Sequence, residues 1–356
     1  MKEDVVEKKA ASARHQALFG TDDAWLAGHV EAALEPELGI VDSHHHLWDR
    51  GAPYLLKEYL ADINSGHNIR ASVFVQCDAM YRADGDPDFA PVGETEFVNG
   101  VAAMSASGAY GPTRVCAGIV GFAELRLGDR VDAVLEAHLL TAGDRFKGIR
   151  GRSVWDADPT IKGSSQDFPP GLLLDADFRR GYARLARFGL SFDAWLFHPQ
   201  IPELADLAAQ FPDTPVIVDH IGAPLAVGVY AGKQDEVFAD WKRNLTELAR
   251  RPNVSVKLGG LGMHLFSFDL DAAHRPVPAS SEEIARLWKP YLETCIETFG
   301  VERCMFESNF PVDKRCVSYA VLWNAFKRIA AGYSAAEKAE LFGDTACRVY
   351  RLTLPS

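Results

Sequence analysis

Eight short runs of apolar or β-branched residues recur along the chain after residue 39, and this recurrence most constrains the fold. Segments with helical periodicity separate most of them, as expected of repeated β-α units around a parallel sheet. No G-x-G-x-x-G or phosphate-loop motif supports an open doubly wound sheet. We therefore expect an α/β fold that closes as a (β/α)8 TIM barrel. The runs span residues 40–44, 71–77, 115–122, 146–150, 190–197, 215–220, 254–258 and 303–309.

Residues 1–39 are rich in Ala, Glu and Lys and end at a Pro-Glu-Leu-Gly break. This pattern predicts a helical extension before the barrel. Residues 40–356 are expected to form one TIM-barrel domain. Four stretches after strands are long and rich in Gly, Pro, Asp and Ser, and loops of this kind surround the active site of a barrel. They span residues 78–93, 151–175, 221–235 and 259–281.

The charge balance limits the partners. With 37 Lys and Arg against 49 Asp and Glu, the formal charge is −12, which disfavours nucleic acid or an anionic membrane. No apolar run is long enough to span a bilayer, and the six widely spaced cysteines form no C-x-x-C pair, as in reduced intracellular proteins. We expect a cytoplasmic protein with a small-molecule substrate; whether it forms a homo-oligomer is open.

The first run leads into three consecutive histidines, within I-V-D-S-H-H-H-L-W-D at residues 40–49. Because side chains alternate along a strand, His44 and His46 are expected to face inward and His45 to face away. By the same alternation Asp42 is expected to share the inward phase. Two imidazoles on one side of a strand end can bind a metal or contact a substrate.

Further polar residues lie at or near other strand ends, where the side chains of a barrel converge. Arg150 ends the fourth run and is expected to clamp an anion, because a guanidinium grips a carboxylate through two bonds. His220, which ends the sixth run, is assigned to catalysis. The residues assigned to substrate binding besides Arg150 are His198, Lys257 and Trp155.

Three motifs, in order along the chain, carry a family resemblance: D-S-H-H-H-L-W-D, P-V-I-V-D-H-I-G-A-P and C-M-F-E-S-N-F-P-V-D. Over residues 38–352 the chain resembles the amidohydrolase superfamily, in particular the amidohydrolase-2 group related to 2-pyrone-4,6-dicarboxylate lactonase and sugar lactonases. The resemblance implies a TIM barrel with an H-x-H pair at His44 and His46. It also implies further site histidines at His198 or His220 and the hydrolysis of a lactone or ester.

The chain departs from this group at one position. Many relatives carry an aspartate as general base in an S-D-x-P motif at the end of strand 8, where this chain has Asn309. A neutral amide cannot take a proton from water, although it can position one. Glu307, two residues earlier on the same face of the strand, is the expected replacement. Asp313 is the second candidate, but its expected role is to cap the next helix or pair with Lys314.

Together with the resemblance, these residues predict an enzyme that opens a lactone or related ester of a small carboxylated acid by attack of water. Two alternatives stay open: a metal-dependent decarboxylase or hydratase acting on an aromatic or unsaturated acid, and an inactive barrel that only binds a ligand. One divalent metal, zinc or manganese, is compatible with ligation by His44, His46 and His198. Catalysis without a metal is supported at least equally, because the lactonase relatives include enzymes expected to work without one.

Overall fold

A computed structural model describes residues 20–161 and 168–354. The predicted N-terminal extension is therefore covered only in part, because residues 1–19 lie outside the described residues. Residues 20–39 contribute one short helix, α1 (Asp23–Leu26). Part of the loop predicted over residues 151–175 also lies outside, since residues 162–167 are not described.

Eight parallel strands hydrogen-bond to one another in the order of the sequence. The ring closes where the residues after the eighth strand meet the first: Asn309 N donates to His44 O (2.9 Å), and His46 N donates to Phe310 O (2.7 Å). The predicted TIM barrel is confirmed. The strands are β1 (Gly39–His45), β2 (Asn68–Val75), β3 (Arg114–Gly121), β4 (Phe146–Arg152), β5 (Ser191–Trp195), β6 (Val216–Val218), β7 (Val254–Leu258) and β8 (Cys304–Phe306).

Helices cover the outside of the barrel. The longest shows why they form: Ser280 caps its first turn by accepting from Glu283 N, and Ile284, Trp288 and Leu292 recur every four residues on its buried face. None in the described ranges is long and apolar enough to cross a membrane. The helices after α1 are α2 (Leu56–Ile63), α3 (Val92–Ala106), α4 (Val131–Ala142), α5 (Ala176–Arg187), α6 (Ile201–Gln210), α7 (Gln234–Leu248), α8 (Ser281–Phe299), α9 (Tyr319–Ile329), α10 (Ala335–Ala339) and α11 (Thr345–Val349).

Two apolar layers hold the strands in place. The larger lies between the strands and the helices. The smaller fills the barrel interior with valines and other branched side chains, and Tyr350, just after α11, joins it. The C-terminal segment therefore contributes to the interior at the end of the barrel where the strands begin. All six cysteines are free thiols, five of them buried, as predicted.

A bulge in β1 changes which side chains face the interior. Asp42 pairs with Ser72 of β2, whereas His45 pairs with Phe74, so three steps along β1 match two along β2. One extra residue in a strand reverses the phase of the side chains beyond it. As a result Asp42 and His44 face opposite sides despite their spacing of two.

Asp42 faces the helical layer. Its carboxylate accepts from the hydroxyls of Tyr59 in α2 (3.0 Å) and Tyr319 in α9 (2.9 Å), and from Ser308 Oγ (2.6 Å). The expectation that Asp42 shares the inward phase of the histidines was therefore wrong, because alternation alone does not account for the bulge. The residue instead connects β1, the end of β8 and two helices.

Candidate active site

His44 and His46 lie side by side at the end of β1. Their Nε2 atoms are 3.2 Å apart, and their rings meet edge to face with centroids 4.8 Å apart. His45 points the other way, stacking on Tyr59 and contacting Ser72 Oγ with its Nε2 (2.9 Å). The predicted alternation of these three histidines agrees with the structure.

The hydrogen-bond partners of the two rings limit which ring nitrogen carries the proton. His46 Nδ1 lies 2.7 Å from the carbonyl oxygen of Val75, which can only accept, so His46 carries its proton on Nδ1 and has a lone pair on Nε2. His44 Nδ1 lies 3.2 Å from Lys257 Nζ, a donor. This contact with Lys257 places the His44 proton on Nε2, where it is donated to His46. Glu307 Oε2, 3.0 Å from the same Nδ1, accepts the proton when Nδ1 carries it instead.

His220, just after β6, forms the second part of the site. Its Nδ1 lies 2.6 Å from Oε1 of Glu307, which also accepts from His220 N (3.2 Å). The other carboxylate oxygen, Oε2, lies 3.0 Å from His44 Nδ1. Glu307 is fully buried and touches both histidines. The ring centroids of His44 and His220 are 4.6 Å apart.

Two consecutive glycines make room for this contact. A Cβ on Gly260 would lie 2.3 Å from His220 Nδ1, and one on Gly259 would lie 2.4 Å from the carbonyl oxygen of Glu307. Gly260 also has φ +72°, in the left-handed region that other residues rarely adopt. The segment after β7 must therefore be glycine for His220 and Glu307 to meet.

A buried charge network lies behind the histidines. The Lys257 ammonium donates to Asp193 Oδ2 (2.7 Å) and Asp219 Oδ1 (3.0 Å), in addition to its contact with His44. Arg150 Nε donates to Asp219 Oδ2 (3.0 Å). Asp193 and Asp219 were not singled out in the sequence, although Asp219 stands directly before His220 in the sixth run.

The network sets the charge of its members. Burial alone would raise the pKa of Asp219, but Lys257, His44 and Arg150 hold it well below its usual range. Burial alone would lower the pKa of Lys257, but the carboxylates of Asp193 and Asp219 raise it. Both groups are therefore charged at neutral pH.

The histidines, by contrast, are neutral. Burial, assisted by the Lys257 charge, lowers the pKa of His44 to about 4, and burial lowers the pKa of His220 to about 3. Burial also lowers the pKa of His46 well below its usual value, and the charges of its neighbours lower it further. Neutral imidazoles can accept a proton or bind a metal.

Lys257 does not occupy the position expected of a substrate-binding residue. It is fully buried, and its three protons are directed at Asp193, Asp219 and His44. An ammonium has only three donors, so none is left for a ligand. Arg150 differs, because beyond its bonds to Asp219 and to the carbonyl oxygen of Gln76 (3.0 Å) it retains further N–H donors.

His198 and Trp155 lie on loops around the barrel mouth. His198 Nδ1 accepts from Leu225 N (3.3 Å), and its ring meets Tyr230 edge-on at 5.0 Å. Trp155, in the loop after β4, keeps 36% of its surface exposed. Neither residue is joined to the histidine cluster by a described hydrogen bond, so their predicted contact with a substrate stays a prediction.

The predicted roles of Asp313 as a helix cap or a partner of Lys314 were wrong. Asp313 is fully buried and accepts from Asn309 Nδ2 (2.9 Å) and Gly262 N (3.0 Å). Lys314 instead pairs with Asp62 (3.0 Å), because the turn after β8 directs the two side chains apart. Burial raises the pKa of Asp313 to about 7.

A second arginine on β4 was also missed. Arg152 lies two residues beyond Arg150 and donates to both oxygens of Asp78 at 2.7 Å. Its guanidinium lies 5.5 Å from the ring of Phe168 in the following loop. The R-G-R spacing at residues 150–152 was available in the sequence as a signal, since alternate residues of a strand share a face.

The donor set can accommodate a metal. Two nitrogens bound to one tetrahedral zinc at about 2.1 Å lie about 3.4 Å apart, close to the 3.2 Å between His44 Nε2 and His46 Nε2. If both lone pairs face an ion, the His44 proton moves to Nδ1, where Glu307 Oε2 lies at 3.0 Å and Asp219 Oδ1 at 3.5 Å. Within the described ranges, ligand atoms of His44, Asp219 and His220 also lie within 4.8 Å of one another.

Comparison with known proteins places this site in a family. A family model described as amidohydrolase matches residues 41–352. An uncharacterized protein of Sinorhizobium fredii is 33% identical, covering 89% of this chain and 99% of its own length. A Burkholderia multivorans protein named L-fucono-1,5-lactonase is 29% identical, covering 89% of this chain and 97% of its own.

A solved structure gives the same result. The crystal structure of an amidohydrolase from Burkholderia multivorans with bound zinc has a TM-score of 0.65 and 27% identity, covering 88% of this chain and 99% of that chain. The family match extends from β1 to the C-terminal segment and includes the histidines, Glu307 and Asn309. The resemblance read from the sequence is thus confirmed, and the chain belongs to the amidohydrolase family.

Proposed function

We propose that the protein is a hydrolase that opens a lactone, or a related ester of a small organic acid, by attack of water on the carbonyl carbon. The observation that carries this proposal is the contact between His220 and Glu307 beside the His44 and His46 pair. It supplies a base where Asn309 replaces the usual aspartate. The relative named L-fucono-1,5-lactonase supports the substrate class.

The base is His220. An ionised carboxylate only accepts, so Glu307 fixes the His220 proton on Nδ1 and leaves the lone pair on Nε2. Nε2 takes a proton from water as its oxygen bonds to the carbonyl carbon. When the ring C–O bond breaks, His220 returns that proton to the departing ring oxygen. The product is a hydroxy acid, which ionises at neutral pH.

Charge on the carbonyl oxygen needs donors. The remaining N–H groups of Arg150 can supply them, and His44 Nε2–H can add a bond only by sharing the proton that it donates to His46. Asn309 directs its NH2 group to Asp313, which leaves its Oδ1 as an acceptor for a hydrogen of the attacking water. Asn309 therefore orients the water, and His220 removes the proton.

The substrate is proposed to be a lactone that carries a carboxylate, held by Arg150 through charge-assisted hydrogen bonds. Trp155 and His198 on the surrounding loops would contact the rest of the ligand. The free thiols fit a reducing compartment, and we place the protein in the cytoplasm.

Zinc or manganese would be held by His44 and His46, with His220 or Asp219 as the third ligand. Asp219 is the weaker choice, because Lys257 and Arg150 already occupy both of its oxygens. A bound divalent metal polarises a carbonyl oxygen and lowers the pKa of a bound water. His44 retains carboxylate partners for its Nδ1 proton in that state, as described above.

A substrate screen tests the proposal. Purified protein is incubated with sugar lactones, pyrone and muconolactone acids, and aromatic carboxylic acids, with and without added zinc or manganese. Ring opening with proton release is expected. Release of carbon dioxide would instead establish the decarboxylase alternative. An absence of turnover in every condition would favour the other alternative, an inactive barrel that only binds a ligand.

A further inference from the structure

A cleft of about 810 Å³ opens at the end of the barrel where the strands begin, opposite the histidines. Its walls come from the first residues of β3 and β4, the end of α3 and the segment after α11. Phe146, Phe188 and Leu190 give it an apolar side. Cavities of roughly 300–1,000 Å³ are the usual size for small-molecule sites.

The cleft is lined by more positive than negative charge. Among the described residues that line it, the basic ones are Arg114, Arg145, Lys147 and Arg351, and the acidic one is Asp144. This excess stands out in a chain of net charge −12. A local cluster of one sign in a cleft concentrates ions of the opposite sign.

The four basic side chains are bonded to neutral oxygens. Arg145 donates to Asn99 Oδ1 (2.7 Å), Arg114 to the carbonyl oxygen of Pro112 (3.1 Å) and Arg351 to that of Lys147 (3.2 Å). Within residues 20–161 and 168–354, none of the four forms an ion pair with a carboxylate. Elsewhere in the barrel, Arg150, Arg152 and Lys257 all do.

Lys147 gives the strongest indication of a ligand. It is 8% exposed, and its ammonium donates only to the carbonyl oxygen of Arg351 (3.2 Å). An ammonium has three donors, so two lack an acceptor among the described residues. Asp144 acts on this ammonium only at long range, without an ion pair, and a buried cation with so little counter-charge is unfavourable. Burial and the neighbouring Arg351 charge lower the pKa of Lys147, and the Asp144 charge offsets them only in part.

We propose that this cleft binds a small organic molecule bearing a multivalent oxyanion, with Lys147 and Arg351 as the main contacts. Guanidinium and ammonium groups bind phosphate and carboxylate oxygens by charge-assisted hydrogen bonds. The apolar side would face the carbon skeleton. This site is separate from the reaction centre, and the proposal does not depend on the proposed function.

The test is calorimetric titration of the full-length protein with inorganic pyrophosphate and, in parallel, with citrate. Pyrophosphate represents a phosphate-bearing ligand and citrate a polycarboxylate. The probe that binds more tightly therefore identifies which of the two groups the ligand carries. We expect at least one to bind, and to bind less tightly as salt is added. The variant Arg351→Gln should weaken binding at least about tenfold, since a hydrogen bond to a charged group is lost. Adding Lys147→Met should weaken it further.

Arg243→Gln is the matched control, because Arg243 is an exposed arginine on α7 and does not line the cleft. It should bind the probes as the unmodified protein does. Arg351 is also exposed, so its variant is expected to fold, which circular dichroism verifies. The proposal is overturned if neither probe binds at millimolar concentration, or if Arg351→Gln and the double variant bind as tightly as Arg243→Gln.

Discussion

The Lys257 ammonium lies 2.7 Å from the Asp193 carboxylate, and both side chains are fully buried. Lys257 also neutralises Asp219 at 3.0 Å. Replacing Lys257 with Met would leave the buried Asp193 carboxylate without a cation and Asp219 with Arg150 as its one remaining cation. We expect the free energy of unfolding to fall by about 3–5 kcal/mol, measured by urea denaturation.

Asp193→Asn provides the control for this prediction. In the double variant with Lys257→Met, the stranded carboxylate is gone, so the loss should be smaller than the sum of the two single losses. Strict additivity, or a Lys257→Met loss below about 1 kcal/mol, would show that the pair contributes no more than a surface ion pair does.

Local patterns accounted for most of the fold. The boundaries of β7 agree with the predicted 254–258, because the apolar pattern within a segment reflects its own burial. The H-x-H pair was also predictable from a local pattern, because side chains alternate along a strand. Strand-end position likewise pointed to Arg150 and His220.

Contacts between distant segments were not predictable in this way. Asp193 and Lys257 are 64 residues apart and meet only because the barrel brings β5 and β7 into one interior. The direction of the Asp42 side chain depends on the bulge in β1. This bulge is defined by the pairing of β1 with β2, and it cannot be read from the sequence of β1 alone. Asp313 was misassigned because its partner, Gly262 N, belongs to another loop.

The pH dependence of activity should lack the usual histidine inflection. Burial lowers the pKa of His44 to about 4 and that of His220 to about 3, so both rings stay neutral until the solution is acidic. We expect the two rings to contribute no change in kcat/KM from pH 8 down to about 5 and kcat/KM to fall as the pH approaches 4. Asp313, whose pKa burial raises to about 7, is replaced in Asp313→Asn to separate its titration from theirs. Initial rates are corrected for spontaneous ring opening. An inflection between about pH 6 and 7 that remains in Asp313→Asn would contradict the assignment of these rings as neutral.

Zinc binding should depend on His46. Protein exposed to zinc and then dialysed is expected to retain about one equivalent by elemental analysis, and His46→Asn to lose most of it. His198→Asn is the informative comparison, because His198 was part of the ligand set predicted from the sequence. We expect it to retain zinc, since its Nδ1 already accepts from Leu225 N. Full zinc content in His46→Asn would show that zinc does not bind at the H-x-H pair.

Glu94 should make stability depend on pH. Burial raises its pKa from 4.5 to about 7, although Cys77 N and Ala79 N donate to it. The folded state therefore binds the proton more tightly, and stability is gained as the pH falls from above 7 towards 4.5. Relative to Glu94→Gln, the unmodified protein should gain about 2.5 kcal/mol between pH 8 and pH 5. Urea denaturation at both pH values measures the free energy of unfolding. If the difference between the unmodified protein and Glu94→Gln is the same at pH 8 and pH 5, the raised pKa of Glu94 is refuted.

The proposed chemistry depends on Glu307 holding His220 as the base. The most direct measurement compares the unmodified protein with Glu307→Gln on the best lactone from the screen, in water enriched in ¹⁸O. We predict one ¹⁸O in the product carboxylate for the unmodified protein. For the variant we predict a kcat lower by about 10²- to 10⁴-fold with little change in KM. A variant within about twofold of the unmodified protein, or ¹⁸O in the product hydroxyl instead, would contradict water attack on the carbonyl by this pair.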